Sequence, residues 1–184
     1  MSSKLLNGVD TQVLSSVFSS IQNHPDTAKA TFSVSSEWNG GFTVASSCKD
    51  FRIGTQMVER KNAYTIVHDF PEQFSGEGKG PTVCENCMAS LGTCITQTIV
   101  AHATAMEIKL DGIRIDVEGD VDIRGFSGVS ENVRPGAQEF RVNVHLESKS
   151  ATKEQLDKLY EIGKRFSPAM DTLTHSTTIK TSLV

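Results

Sequence analysis

No window of the sequence approaches the roughly 20 consecutive apolar residues that a bilayer-spanning helix needs. The first ten residues, MSSKLLNGVD, also lack the apolar core of a secretory signal. A bacterial-type or archaeal-type cytoplasm is therefore the expected location, and no membrane partner is expected. An excess of basic residues is missing too: 18 Lys and Arg stand against 22 Asp and Glu, for a net charge of −4. Such a chain carries no electrostatic footprint for nucleic acid. There is no internal repeat, no low-complexity segment and no visible interdomain linker. Cysteine is scarce, with four residues. In a reducing compartment these thiols are reactive, metal-binding or buried rather than structural bridges. What is present is ordinary for a soluble globular protein: 38% hydrophobic and 22% charged residues in 184. That length can bury a core without metals or disulfides. One domain over 1–184 is expected, with 1–27 as an N-terminal helical appendage.

Periodicity places the elements. Asp10 caps a helix over about 11–22, where Val13, Leu14, Val17, Phe18 and Ile21 form one apolar face. "ATFSV" and "GFTVAS" read as strands joined at Trp38-Asn39-Gly40-Gly41, with glycine where positive φ is needed. "DFRIG" and "AYTIVHDF" follow as strands, and 71–81 is a turn-rich loop. Thr82 and Glu85 form a capping box that opens the longest helix, about 83–104, with Met88, Leu91, Ile95 and Ile99 along its inner face. Strand patterns recur at Ile108 and Leu110, at Ile113–Val117 and at Val121 and Ile123. After a loop over 125–138, Phe140, Val142, Val144 and Leu146 alternate as a half-buried strand. Thr152 and Gln155 cap a further helix, which "SPAMDTL" breaks, and Thr177–Val184 closes as a strand. Two clusters of strands, each with one long helix, argue for an α+β fold with antiparallel pairing rather than a doubly wound sheet.

Three of the four cysteines fall in "CENCMASLGTC", residues 84–94. Three chemistries compete for them. Cys84-x-x-Cys87 is a zinc half-site, but no second half-site follows at the required spacing. Cysteine also serves as a small buried hydrophobe, and Cys87 and Cys94, seven apart, share a helical face. Finally, thiolate is the reactive form and a helix N-terminus favours it, which suits Cys84 and Cys87 in the first two turns. Cys94 lies deeper, two residues after Gly92, a glycine that costs about 1 kcal/mol in a helix and so points to a packing or functional need.

The segment "GPTVCENCMASLGTCITQTIVAHA" resembles the central helix of the OsmC/Ohr family, the osmotically induced and organic-hydroperoxide-resistance proteins. "GDVDIRGFSG" and "KRFSPAMDTLT" resemble two later segments of an OsmC-like subgroup, in the same order. The likeness covers roughly residue 28 to the end. It implies an interlocked homodimer with antiparallel sheets packed around long central helices, and sites at the dimer interface. It implies a thiol-dependent peroxidase in which Cys94 matches the peroxidatic cysteine. The substrate would be an organic hydroperoxide and the reductant a small or lipoyl dithiol, with no bound cofactor or metal.

The chain departs from the peroxidase pattern at three places. Ser167-Pro168 stands where the family has a Cys-Pro pair, so the usual resolving thiol is absent. The first hairpin turn has no arginine, and Arg52 and Arg60 are the nearest substitutes. The peroxidase glutamate, ten residues before the cysteine, falls on Cys84; Glu85, nine before, is where the subgroup places its own. The site residues expected are Cys94, Glu85, Cys84 and Cys87. Two other readings stay open: a non-catalytic dimer holding a small apolar or acyl ligand in its interface pocket, and a dithiol oxidoreductase using Cys84 and Cys87.

Overall fold

A computed structural model describes residues 5–183. In chain order the elements are β1 (Leu5–Leu6), β2 (Val9–Asp10), α1 (Thr11–Asn23), β3 (Ala30–Phe32), β4 (Ser35–Trp38), β5 (Val44–Cys48), β6 (Phe51–Ile53), β7 (Gln56–Val58) and β8 (Tyr64–His68). They continue with α2 (Val83–Ala105), β9 (Gly112–Asp120), α3 (Ile123–Phe126), β10 (Glu139–Glu147), α4 (Lys153–Phe166) and α5 (Pro168–Thr174). All pairings are antiparallel, in sheets ordered β1-β2, β3-β6-β7, β4-β5-β8 and β10-β9. This is the mixed α+β architecture that the pattern implies. No helix of the described residues is long and apolar enough to cross a membrane.

The chain divides into two compact units, residues 13–87 and residues 5–12 with 88–183. In the second unit, α2 supplies Leu91, Ile95, Ile99 and Ala103, joined by Ile108 and by Leu159 of α4. Ile113, Ile115 and Val117 pair across the ribbon with Leu146, Val144 and Val142 and pack against that cluster. Period-two alternation puts Arg114, Asp116, Glu118, Arg141 and His145 on the opposite side. The helices approach closely at Gly163: a Cβ there would lie 2.8 Å from Ile99 Cδ1, and Ile99 is fully buried with no room to turn. Gly163→Ala is expected to lower stability by about 1–3 kcal/mol through overpacking. The urea midpoint should fall with an unchanged slope. An unshifted midpoint would mean that α4 can ease away from α2 at no cost.

The β1–β2 turn is fastened by Asn7, whose φ is 53°. Its amide donates to the Ile108 carbonyl (2.9 Å) and its carbonyl accepts the Leu110 N–H (2.8 Å). Those bonds occupy the backbone of 108–110, which explains why that segment is not the strand its alternation suggests. Two further strand assignments are corrected. Val121 lies beyond β9, and Ile123 opens α3, because Asp122 accepts the Arg124 N–H (3.0 Å) and caps a helical turn. The final segment, 175–183, forms no strand, and Val184 lies outside the described residues.

The start of α1 is capped by Asp10 as its sequence implies, the carboxylate accepting the Gln12 N–H at 2.9 Å. The hairpin at 38–44 forms with Gly40 and Gly41 at positive φ. Its first arm is Ser35–Trp38, however. Ala30–Phe32 pairs instead with Phe51–Ile53, where Phe32 and Phe51 stack at 5.2 Å. Asp69 orders the loop over 70–80. Its carboxylate accepts N–H groups from Phe70 (2.8 Å), Glu77 (3.1 Å) and Lys79 (3.2 Å) and the Thr43 hydroxyl (3.3 Å). Burial pushes this carboxyl up, but the donors from Lys79, Phe70, Glu77 and Thr43 outweigh it and hold the group below its ordinary value.

Candidate active site on the long helix

The start of α2 is set by a reciprocal cap. Glu85 Oε2 accepts both the Thr82 N–H and the Thr82 hydroxyl at 2.8 Å, and the Glu85 N–H donates to Thr82 Oγ1 at 3.2 Å. The Thr82 backbone and hydroxyl donors hold the Glu85 carboxyl below its ordinary value. Cys84 is exposed and Cys87 half-buried in the same turns, and all four cysteines are free thiols. Glu85→Gln should leave the cap intact, since glutamine also serves at the third helical position. Both thermal stability and thiol reactivity should stay within error of wild type; a loss of reactivity with stability kept would give Glu85 a role beyond the cap.

Cys94 is placed by two elements far apart in sequence. It sits half-buried on α2, where the Ala169 N–H donates to its Sγ at 3.4 Å. The expected break at "SPAMDTL" is real, but a new helix starts there at once. Ser167 is its cap, fully buried, with Oγ accepting the Met170 N–H at 3.4 Å, and Pro168 takes the first position, where no N–H is needed. Two of the orphan N–H groups of the first turn are thus satisfied, one by serine and one by the cysteine sulfur. The contact fixes where the Cys94 sulfur sits relative to the start of α5. The signal for this helix was available in the Ser-Pro pair; its contact with Cys94, 75 residues away, was not.

Packing does not require the glycine at 92 that its cost in a helix suggests. A Cβ there would meet Val117 Cγ2 at 3.5 Å and Ile115 Cγ2 at 3.7 Å, ordinary contact distances. A groove of about 520 Å³ follows the same stretch, between Met88, Ala89, Thr93 and Thr96 of α2 and Ile115 and Val117 of β9. The arginines considered as substitutes are engaged or exposed. Arg60 donates to Cys48 Sγ (3.7 Å) and lies over the Phe51 and Tyr64 rings, and Arg52 is exposed. Arg124 is taken up by Asp122. His102 stacks on Phe166 at 5.6 Å. Among the described residues no group of three or more His, Cys, Asp or Glu is arranged to hold a metal ion.

Comparison with known proteins shows the family and the fold. The family model described as OsmC-like protein matches residues 76–182, more than half of the chain. No curated protein sequence matches. Among solved structures, the OsmC-like protein of Mycoplasma pneumoniae superposes with a TM-score of 0.59 at 15% identity, over 78% of this chain and 87% of that one. The organic hydroperoxide resistance protein OsmC of Legionella pneumophila gives 0.51 at 14% identity, over 79% and 91%. The match reaches from the loop before α2, through Cys94 and β9–β10, to the segment after α5. The chain therefore belongs to the OsmC-like protein family.

Proposed function

We propose that the protein serves in oxidative-stress defence as a thiol-dependent peroxidase that reduces organic hydroperoxides through Cys94. The observation that supports this most directly is the setting of Cys94 Sγ: half-buried on the central helix, with one backbone N–H directed at it from the start of α5. In the reaction the thiolate attacks one peroxide oxygen. An S–O bond forms, the O–O bond breaks, and the alkoxide leaves and takes up a proton as the alcohol. Sulfur is left as sulfenic acid. One thiol of a dithiol reductant attacks that sulfur and releases water; its second thiol then displaces Cys94, leaving a cyclic disulfide. The reductant supplies both electrons, so no resident cofactor is required.

The assay is consumption of cumene hydroperoxide with a small or lipoyl dithiol, at catalytic protein concentration. Multiple turnovers support the reading. Absence of turnover, with retention of an apolar acyl probe beside α2, would favour the ligand-holding alternative that the 520 Å³ groove suggests. Peroxide-independent disulfide exchange by Cys84 and Cys87 would favour the dithiol oxidoreductase.

We further infer that the working form is a homodimer. In residues 13–87 the buried residues are Thr43, His68 and Asp69, all polar, while Phe32, Val34, Trp38, Tyr64 and Ile66 are exposed. A unit with sheets and turns of this regularity needs apolar cover, and a second copy supplies it. Light scattering should give about twice the chain mass of 20.0 kDa. A stable monomer at micromolar concentration would contradict the assembly.

A further inference from the structure

Two thiols stand on the first turns of α2, apart from the contact that places Cys94. Cys84 is exposed, Cys87 is half-buried, and both are free. They are three residues apart, and residues so spaced are neighbours on a helix surface. Three residues of helix rise about 4.5 Å, which sets the Cα atoms about 5 Å apart. A disulfide spans about 4.4–6.8 Å between Cα atoms, so this pair is in range, unlike Cys87 and Cys94. The Cβ atoms are the obstacle. Helical neighbours hold them about 5–6 Å apart, and a disulfide needs about 3.5–4.5 Å. The turn must therefore tighten, and the first turn is the one best able to do so. The first backbone bond of the helix runs from the Asn86 N–H to the Thr82 carbonyl, so the N–H groups before it have no helical acceptor. What fixes Glu85, between the two cysteines, is its reciprocal cap with Thr82.

We propose that Cys84 and Cys87 form a second peroxide-reactive site, separate from Cys94, that closes into a disulfide across the first turn of α2. An accessible cysteine beside a resolving one is the arrangement found in thiols that sense oxidants. The Cys84 thiolate attacks one oxygen of an organic hydroperoxide. An S–O bond forms, the O–O bond breaks, and the alkoxide leaves and takes up a proton as the alcohol. The Cys87 thiol then attacks the sulfenic sulfur, the S–O bond breaks, and the oxygen leaves as water with the Cys87 proton. Each sulfur gives up one electron, and the hydroperoxide takes both. Closure pulls on the turn that the Thr82–Glu85 cap holds, so the disulfide is both exposed and strained. Such disulfides are readily reduced. A small dithiol reopens this one: one of its thiols attacks a sulfur of the pair, and the second closes a cyclic disulfide on the reductant. The site answers excess peroxide at the pace of an ordinary exposed thiol, so it adds nothing above background to turnover at Cys94.

The test uses the full chain carrying Cys94→Ser, so its outcome does not depend on the peroxidase reading. The protein is treated with excess cumene hydroperoxide, remaining thiols are blocked with iodoacetamide, and the chain is cut with cyanogen bromide. Met57 and Met88 bound a fragment, 58–88, whose only cysteines are Cys84 and Cys87. That fragment should carry no label and be two hydrogens lighter than its reduced form. Dithiothreitol added before blocking should restore both labels. With Cys87→Ser added, dimedone should label Cys84 at least tenfold more than in the chain that keeps Cys87. Both thiols labelled as in the untreated chain would overturn the proposal. So would a dimedone adduct at Cys84 that the presence of Cys87 does not diminish, or Cys84 bonded to another chain. None of these results bears on turnover at Cys94, and a wild type without turnover leaves the closure test standing. If Cys94→Ser fails to fold, the same fragment from the wild-type chain decides, because the cut after Met88 separates the pair from Cys94.

Discussion

Cys94→Ser is expected to reduce turnover of organic hydroperoxide to background, while Cys48→Ser leaves it at the wild-type level. The reason is the difference between the two sites. Cys94 is half-buried and its sulfur accepts one backbone N–H, from Ala169 at 3.4 Å. Cys48 ends β5 and faces the Arg60 guanidinium at 3.7 Å, which is itself engaged with the Phe51 and Tyr64 rings. A hydroxyl at 94 can still accept the Ala169 N–H, so the fold should survive, and circular dichroism and the urea midpoint should match wild type. What serine cannot do is take up oxygen and pass through a sulfenic acid. Single replacements at Cys84 and Cys87 complete the series. They should slow recycling at most, since neither sulfur shares the Ala169 contact. Equal rates for wild type and Cys94→Ser would sink the assignment. Loss of turnover in Cys84→Ser or Cys87→Ser with Cys94→Ser still active would move the chemistry to the start of α2.

Oxidised Cys94 is expected to form no disulfide with Cys87 of its own chain. Both lie on α2, which is helical without interruption from Val83 to Ala105. Seven residues of helix rise about 10.5 Å, while a disulfide needs Cα atoms within about 4.4–6.8 Å. Closing that gap means unwinding the helix where Leu91 and Gly92 are buried against β9. Each backbone bond lost there costs roughly 1 kcal/mol net, and more when the groups stay buried. Cys84 lies farther along the same helix. At the start of α5, where the resemblance implies a second thiol, stands Ser167, whose hydroxyl caps the helix. The sulfenic acid should therefore accumulate and be trapped by dimedone, or be captured by a small thiol or by a cysteine of a second subunit. Peptide mapping without reductant, after one equivalent of peroxide, reads the result. Trypsin leaves all three cysteines of the segment on one peptide, so cyanogen bromide cleavage at Met88 is required. A dominant Cys87–Cys94 crosslink within one chain would show that α2 opens near Gly92 during the reaction. Restoring the missing thiol by Ser167→Cys sharpens the test, because a crosslink between Cys94 and the introduced thiol should then appear where the wild type has none.

Much of the secondary structure was legible because its causes are local. The Thr82–Glu85 and Thr152–Gln155 boxes each act over three residues, and both form with reciprocal bonds. The Asp10 cap and the glycines of the 38–44 turn act over a similar span. Alternation in Phe140–Leu146 reports a strand with one face on the core, and β10 is that strand. The same rule misled at 108–110, where Asn7 claims the backbone groups a neighbouring strand would use. It misled again at 30–34, whose partner is 51–53 rather than the nearer hairpin. The alternation at 177–183 suggests a strand, yet the segment pairs with none among the described residues.

By itself the sequence determined the α+β class, the capped central helix with Cys84, Glu85, Cys87 and Cys94 on it, and the family likeness in three ordered motifs. Those properties depend on residue type and on spacing within a few positions, which the chain carries whatever its final shape. Only the tertiary structure decided that Ala169 directs its N–H at Cys94, that Asp69 gathers the loop over 70–80, and that Gly163 lets α4 meet α2. Each joins residues whose proximity is set by how the apolar faces pack, and packing is a property of the whole chain that no local pattern records.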